Sequence, residues 1–191
     1  MPQPDKISAL PIAAEDALGE DLKKYFAKAQ EKLGLVPNVL KAYTLRQERL
    51  RNFMTMYNEL MLGKDSGLSK LEREMIAVVV SSANRCYYCL VAHGQAVRQY
   101  SEDPQLGEML VMNYRVAKLS ARQRAMLDYA WRLTATPFEV SEADRKALRD
   151  VGFSNEDIFD ITETIGFFNM SNRMAYGLEM IPNAEYHAMN R

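Results

Sequence analysis

Proline is absent from residues 38 to 103 of this 191-residue chain, and that gap limits the possible folds more than any single motif. The seven prolines stand at 2, 4, 11, 37, 104, 137 and 182. A proline inside a helix removes a backbone donor and clashes with the preceding turn, so a long proline-free stretch leaves room for long helices. Helix-start signals fill that space. Ser69-Lys-Leu-Glu72 fits the capping box, in which the serine accepts a backbone N–H and the acid three residues on reaches back. Thr44 to Gln47 and Ser120 to Gln123 fit the same pattern, and Ser141 to Asp144 and Ser154 to Asp157 are aspartate-ended versions. Gly34, Gly63 and Gly177 stand where helices can stop.

These signals predict an all-α chain with helices over about 19–33, 38–43, 45–62, 69–83, 85–100, 104–113, 121–135, 141–150, 155–168 and 170–179. Residues 1–18 form an irregular or extended arm, and the segment after Pro182 is loop or a short turn. The Val78-Val79-Val80 run is the best strand signal, but it lies inside a window opened by a capping box. A repeat is also legible: Ser69 to Asn84 and Ser154 to Asn169 each run from a cap, through an apolar helix, to an asparagine placed to cap a second helix. On that alignment Ser171, Met174 and Leu178 occupy the places of Cys86, Cys89 and His93.

The length suits one domain, 1–191, with a sizeable core. Hydrophobic residues make up 48%, charged residues 26%, and the formal net charge is −1, which gives no electrostatic reason to expect a nucleic-acid partner. The arginines at 46, 49 and 51 read as a solvated helix face or a set of subunit contacts. The first residues carry acids early and lack a basic start followed by an apolar core, so they do not read as a signal peptide. The densest apolar run, Ile76 to Val80, is too short to span a bilayer. The expectation is a cytoplasmic protein with no membrane partner. Two cysteines in a reducing compartment point to redox or metal chemistry before a structural disulfide.

Those two cysteines are gathered with one of the two histidines: Cys86-Tyr87-Tyr88-Cys89, then His93. On a helix, positions i, i+3 and i+7 share a face. Asn84 or Ser82 as N-cap would place Cys86 in the first turn, where unpaired N–H groups and the helix dipole stabilise a thiolate. Cys89 would sit one turn in and be more shielded, and two cysteines so spaced can close a disulfide. His93, one turn further, can take a proton from Cys89. A histidine base needs an orienting partner, and Glu72 and Glu74 are the local candidates. Glu72 already serves the capping box. Periodicity does not choose between them, because residues 75–80 are apolar all round. A zinc site from Cys86, Cys89, His93 and His187 is the metal alternative. A c-type haem site is excluded by Leu90 in the place of its histidine. Neither a cofactor nor a metal is expected.

The pattern Glu74, eleven residues, Cys86-Tyr-Tyr-Cys89, three residues, His93 resembles the alkylhydroperoxidase D (AhpD) family, within the carboxymuconolactone decarboxylase superfamily. Gly34-Leu-Val-Pro-Asn-Val39 and the length resemble its peroxidase-related branch. The resemblance implies an AhpD-like helical bundle with its catalytic helix pair at 69–94, homo-oligomers (trimers or hexamers), and a hydroperoxide substrate reduced at the expense of a thiol or dithiol. It implies Cys89 as the peroxidatic thiol, Cys86 as the more exposed resolving thiol, and His93 with Glu74 as the proton relay. One position departs: Tyr88 stands where well-known members carry a histidine, and a phenol does not titrate near neutrality. Two other classes stay open: a redox sensor or disulfide reductase without peroxidase turnover, and a non-redox decarboxylase-like enzyme. Tyr129, Trp131, Phe167 and Phe168 are expected in the core, at an interface or along an apolar pocket near the thiols.

Overall fold

The structure, a computed structural model, describes residues 3–191, so Met1 and Pro2 of the expected arm lie outside the described residues. Nine α-helices occur among them: α1 (Glu20–Leu33), α2 (Asn38–Tyr43), α3 (Gln47–Leu62), α4 (Lys70–Ala83), α5 (Tyr87–Ser101), α6 (Pro104–Asn113), α7 (Ala121–Ala135), α8 (Glu142–Asp150) and α9 (Asn155–Gly177). No strand interrupts them among the described residues, so the all-α expectation holds.

The fold is organised around α4, which touches α3, α5, α6, α7 and α9. Its residues Met75 to Val80 are all 0% exposed. A helix that is apolar on every side belongs at the centre of a bundle, which is why its periodicity was silent. The same burial explains why three consecutive valines remain helical: packing on all sides outweighs a propensity deficit of tenths of a kcal/mol per residue. Truncating one of these side chains, for example Ile76→Ala, costs about 2–5 kcal/mol by this logic.

The serine caps form as read. Ser69 Oγ accepts the Glu72 N–H at 3.1 Å, and Glu72 Oε2 accepts the Ser69 N–H at 2.8 Å. Glu72 Oε1 also holds Arg122 of α7 at 3.1 Å, so this acid is occupied in joining two helices. Ser120, Ser141 and Ser154 open α7, α8 and α9 with the same box. The Thr44–Gln47 pair does not cap. Thr44 Oγ1 accepts the Ala13 N–H at 2.9 Å and donates to Lys41 O at 2.6 Å. Gln47 accepts the Gly19 N–H at 2.9 Å and donates to Ala17 O at 3.0 Å. Both residues tie the segment before α1 onto α3. The arginines at 46, 49 and 51 do not form one free patch, because Arg51 clamps Asp21 of α1 through two hydrogen bonds, at 2.7 and 2.8 Å.

The expected helices 155–168 and 170–179 are one helix of 23 residues. Asn169 starts nothing new, because its Nδ2 donates back to Ile165 O at 3.0 Å and to Thr134 Oγ1 at 3.1 Å. With its side chain engaged there and no proline or glycine beside it, the helix continues. The second copy of the repeat is therefore a single rod, not a helix pair. The arm runs beside the end of that rod: Ala9 N–H donates to Leu178 O at 2.8 Å, and Ile181 N–H donates to Ile7 O at 3.1 Å.

Candidate functional site

The joint between α4 and α5 sets the site. Asn84 ends α4, and Arg85 follows in the left-handed region at φ 58°. A non-glycine residue there costs roughly 1 kcal/mol and has to be held by its surroundings. Tyr176 of α9 donates its hydroxyl to Asn84 O at 3.0 Å and to Arg85 O at 2.5 Å. Asn84 Nδ2 donates to the side-chain oxygens of Asn169 and Asn172, at 3.0 and 2.9 Å. Asn172 in turn donates to Ser81 Oγ at 3.0 Å. The expectation that Asn84 or Ser82 caps α5 is corrected: Cys86 itself, in extended conformation, is the N-cap residue.

The turn aims the chemistry at one wall of α4. Cys89 lies in the first turn of α5 and His93 one turn on, and His93 Nδ1 meets Glu74 Oε2 at 2.7 Å. Glu74, not Glu72, is the acid that reaches the histidine. The carboxylate accepts the Nδ1 proton and leaves Nε2 as the basic nitrogen. Glu74 is buried, and the edge of the His93 ring stands against Phe168 at 4.7 Å between centroids.

Both cysteines are free thiols and both are 2% exposed. The expectation of a more exposed Cys86 is therefore corrected. Its cover comes from parts of the chain far away in sequence: Ala175 near the end of α9, Met180 just beyond it, and Ile7 of the arm. Equal burial hides unequal acidity. The Cys86 thiol is lowered to about 7, first because the Cys89 thiol donates to its sulfur, against the opposing effect of burial, and then through the amides of Cys89 and Tyr88 and the charge of His93. Cys89 is pushed well up, because its proton is held by Cys86 and because it is buried beside that thiolate; Asn172 and Ser171 pull weakly the other way. One proton shared between two sulfurs makes the thiol at the start of α5 the more acidic of the pair.

The cysteines open on different cavities. Cys89 lines a cavity of about 270 Å³ together with Glu74, His93, Phe53, Tyr57 and Phe168. Cys86 lines a second one of about 300 Å³, roofed by Pro4 and Lys6 of the arm and floored by Ala175 and Met180. Tyr88 borders both. Its hydroxyl accepts the Val39 N–H at 2.8 Å, so this phenol caps the start of α2 and burial raises it far above its ordinary range. Tyr88 thus holds the wall between the cavities in the position where the resemblance leads one to expect a histidine. Tyr87 is an exposed rim residue.

His187 does not join the cysteines. It meets the Tyr87 hydroxyl at 3.2 Å, and no cluster of three or more His, Cys, Asp or Glu side chains among the described residues is arranged for a metal. Ser171 and Asn172 are the site residues that motif reasoning missed. The available signal was a polar Ser-Asn pair inside the apolar stretch that begins at Phe167, and the repeat had set Ser171 opposite Cys86.

The fold and site together define an all-helical protein with a buried dithiol beside a carboxylate-bound histidine. The carboxymuconolactone decarboxylase family model matches residues 48–130, which include all four of these residues. A peroxidase-related protein from Silicibacter sp. TM1040 is 61% identical over 100% of both chains, with a TM-score of 0.95. An AhpD-core, peroxidase-related protein from Ralstonia eutropha JMP134 is 43% identical over 98% of each chain, with a TM-score of 0.94. The debrominase Bmp8, 18% identical over 97% of this chain and 96% of its own with a TM-score of 0.78, shares the fold. No curated protein matches the chain. The chain belongs to the carboxymuconolactone decarboxylase family, among its AhpD-related, peroxidase-related members.

Proposed function

We propose that the protein is a thiol peroxidase that reduces organic hydroperoxides through Cys89 and Cys86. The observation that carries this reading is that Cys89 and the Glu74-bound His93 line one cavity whose walls are largely apolar and aromatic. A hydroperoxide in that cavity meets Cys89 as His93 Nε2 takes its proton. The sulfur attacks the terminal peroxide oxygen, the O–O bond breaks, and the alkoxide leaves as alcohol with the proton carried by His93. Cys89 becomes a sulfenic acid. The Cys86 thiolate attacks that sulfur, the S–O bond breaks, and the hydroxide leaves as water with a proton from solvent, forming the Cys86–Cys89 disulfide. An external thiol or dithiol then returns both sulfurs to the reduced state by exchange. Glu74 positions His93 and stabilises its charged form. We place the enzyme in the cytoplasm as a homo-oligomer, a trimer or hexamer.

The burial of Cys86 under the arm favours one second reading, a redox sensor whose disulfide is formed by peroxide but reduced slowly. A single assay separates the outcomes. One equivalent of cumene hydroperoxide should remove both free thiols and create an intramolecular disulfide, and dithiol reductants should then sustain turnover. Oxidation without turnover identifies the sensor, and an unchanged thiol count sinks both.

A further inference from the structure

The cavity beside Cys89 carries more hydroxyls than a plain alkyl hydroperoxide needs. Five tyrosines line it: Tyr25, Tyr57, Tyr88, Tyr100 and Tyr186. Two have their hydroxyls engaged, Tyr25 with Asn58 at 3.5 Å and Tyr88 with the Val39 N–H. The hydroxyls of Tyr57 on α3, Tyr100 on α5 and Tyr186 on the C-terminal turn Ala184–His187 bond to no side chain or backbone group of the described residues. These hydroxyls are not sealed off from water, since no tyrosine oxygen among the described residues is both buried and unpartnered, so each is free to donate to a group that enters the cavity, where phenylalanine would offer only an apolar edge.

Tyr186 is held in place by a dedicated anchor. Arg98 of α5 is buried, and its guanidinium donates to Tyr186 O at 2.9 Å and to Met189 O at 3.1 and 3.3 Å. Gln95 adds a bond to Asn190 at 2.6 Å. Gly107 of α6 makes room for the arginine, since a Cβ there would stand 2.8 Å from Arg98 Cγ. A buried cation spent on main-chain carbonyls of the last residues fixes the third phenol against the cavity.

The three phenols remain donors at neutral pH. Burial raises each of them, and the nearby Glu74 carboxylate raises them further, with Glu185 also acting on Tyr186. The same carboxylate disfavours a second anion close by. The group they suit is a neutral oxygen acceptor.

We infer that Tyr57, Tyr100 and Tyr186 form a hydroxyl-donating subsite for a carbonyl, ester or ether oxygen on the substrate, opposite its reacting end at Cys89 and His93. The preferred substrate is then an oxygenated aromatic or alicyclic hydroperoxide, with its ring against Phe53 and Phe168. The subsite rests on the lining of the cavity, and its use for a hydroperoxide rests on the peroxidase reading above.

Two neutral probes of similar shape, acetophenone and cumene, test the subsite without turnover. Each is titrated by calorimetry into wild type, Tyr57→Phe, Tyr100→Phe, Tyr186→Phe and the triple variant, with circular dichroism checking that each variant is folded. Wild type should bind acetophenone about tenfold more tightly than cumene, the single variants should lose part of that preference, and the triple variant should lose all of it. Equal binding of the probes by wild type, or a preference surviving in the folded triple variant, overturns the subsite. If the triple variant does not fold, the three single variants decide by the same ratio. For turnover, the kcat/KM ratio of a carbonyl-bearing hydroperoxide to cumene hydroperoxide should fall about tenfold in the triple variant. Probe discrimination without any hydroperoxide consumption leaves the subsite standing and removes the peroxidase reading.

Discussion

Cys86 and Cys89 are buried to the same 2%, yet their surroundings push their acidities in opposite directions. Cys86 sits at the open start of a helix, with backbone amides within reach. Cys89 lies in the first turn of that helix, its backbone amide serves Cys86, and its own proton is drawn toward its neighbour. Burial alone would raise both thiols. The hydrogen bond from the Cys89 thiol to Cys86, helped by the amides at the start of α5, makes Cys86 the more acidic of the two, and the cavity each one lines decides what can reach it. The lesson is that accessibility and acidity are set by separate parts of the fold: the arm and the end of α9 for the first, the hydrogen bond from Cys89 at the helix start for the second.

The sharpest test of that asymmetry is substitution. Cys89→Ser should abolish hydroperoxide consumption. Cys86→Ser should permit one oxidation and stop, leaving a sulfenic acid that dimedone traps and mass spectrometry reads; the opposite pattern would exchange the two roles. Next comes the relay. Glu74→Gln keeps a side chain of the same shape but removes the charge behind His93, and kcat/KM should fall about a hundredfold, in the range for a weakened general base.

The acidity difference itself is read by alkylation. The rate of iodoacetamide labelling follows the thiolate fraction, so Cys86 labelling should rise with pH, reach half its plateau near pH 7, and fall about tenfold for each pH unit below that. Cys89→Ala removes the donor that chiefly lowers Cys86, so the midpoint should move up toward the ordinary thiol range. An unmoved midpoint would assign the shift to the helix terminus instead. The smallest effect concerns the support beneath the site. Asn172→Ala leaves Ser81 and Asn84 short of a partner, and denaturant titration should register about 1–3 kcal/mol of lost stability.

Much of this arrangement was legible beforehand where it depends on neighbours in sequence. Ser69, Ser120, Ser141 and Ser154 marked four helix starts because a cap and its acid or amide lie three residues apart. The shared face of Cys89 and His93 followed from helical spacing, whereas Cys86 stands just ahead of the helix, in extended conformation. What escaped was decided at a distance. Asn169 resembles a cap, and only its bonds to Ile165 and Thr134 keep α9 unbroken. Glu74 could not be told from Glu72 by period, because α4 is enclosed on every side. The cover over Cys86 comes from Ile7, Ala175 and Met180, which no local pattern connects to residue 86. The unpartnered phenols are gathered from three elements, and their convergence exists only once α3, α5 and the C-terminal turn have come together.

Tyr88, pinned to the Val39 amide between the two cavities, has a kinetic consequence. In the proposed cycle an oxidant beside Cys89 and a thiol nearing Cys86 occupy different spaces, so neither displaces the other. Double-reciprocal plots at several reductant concentrations should then be parallel lines, without competitive inhibition at high concentrations of either reagent. Spent alcohol lingering in one chamber would not delay the arrival of electrons in the other.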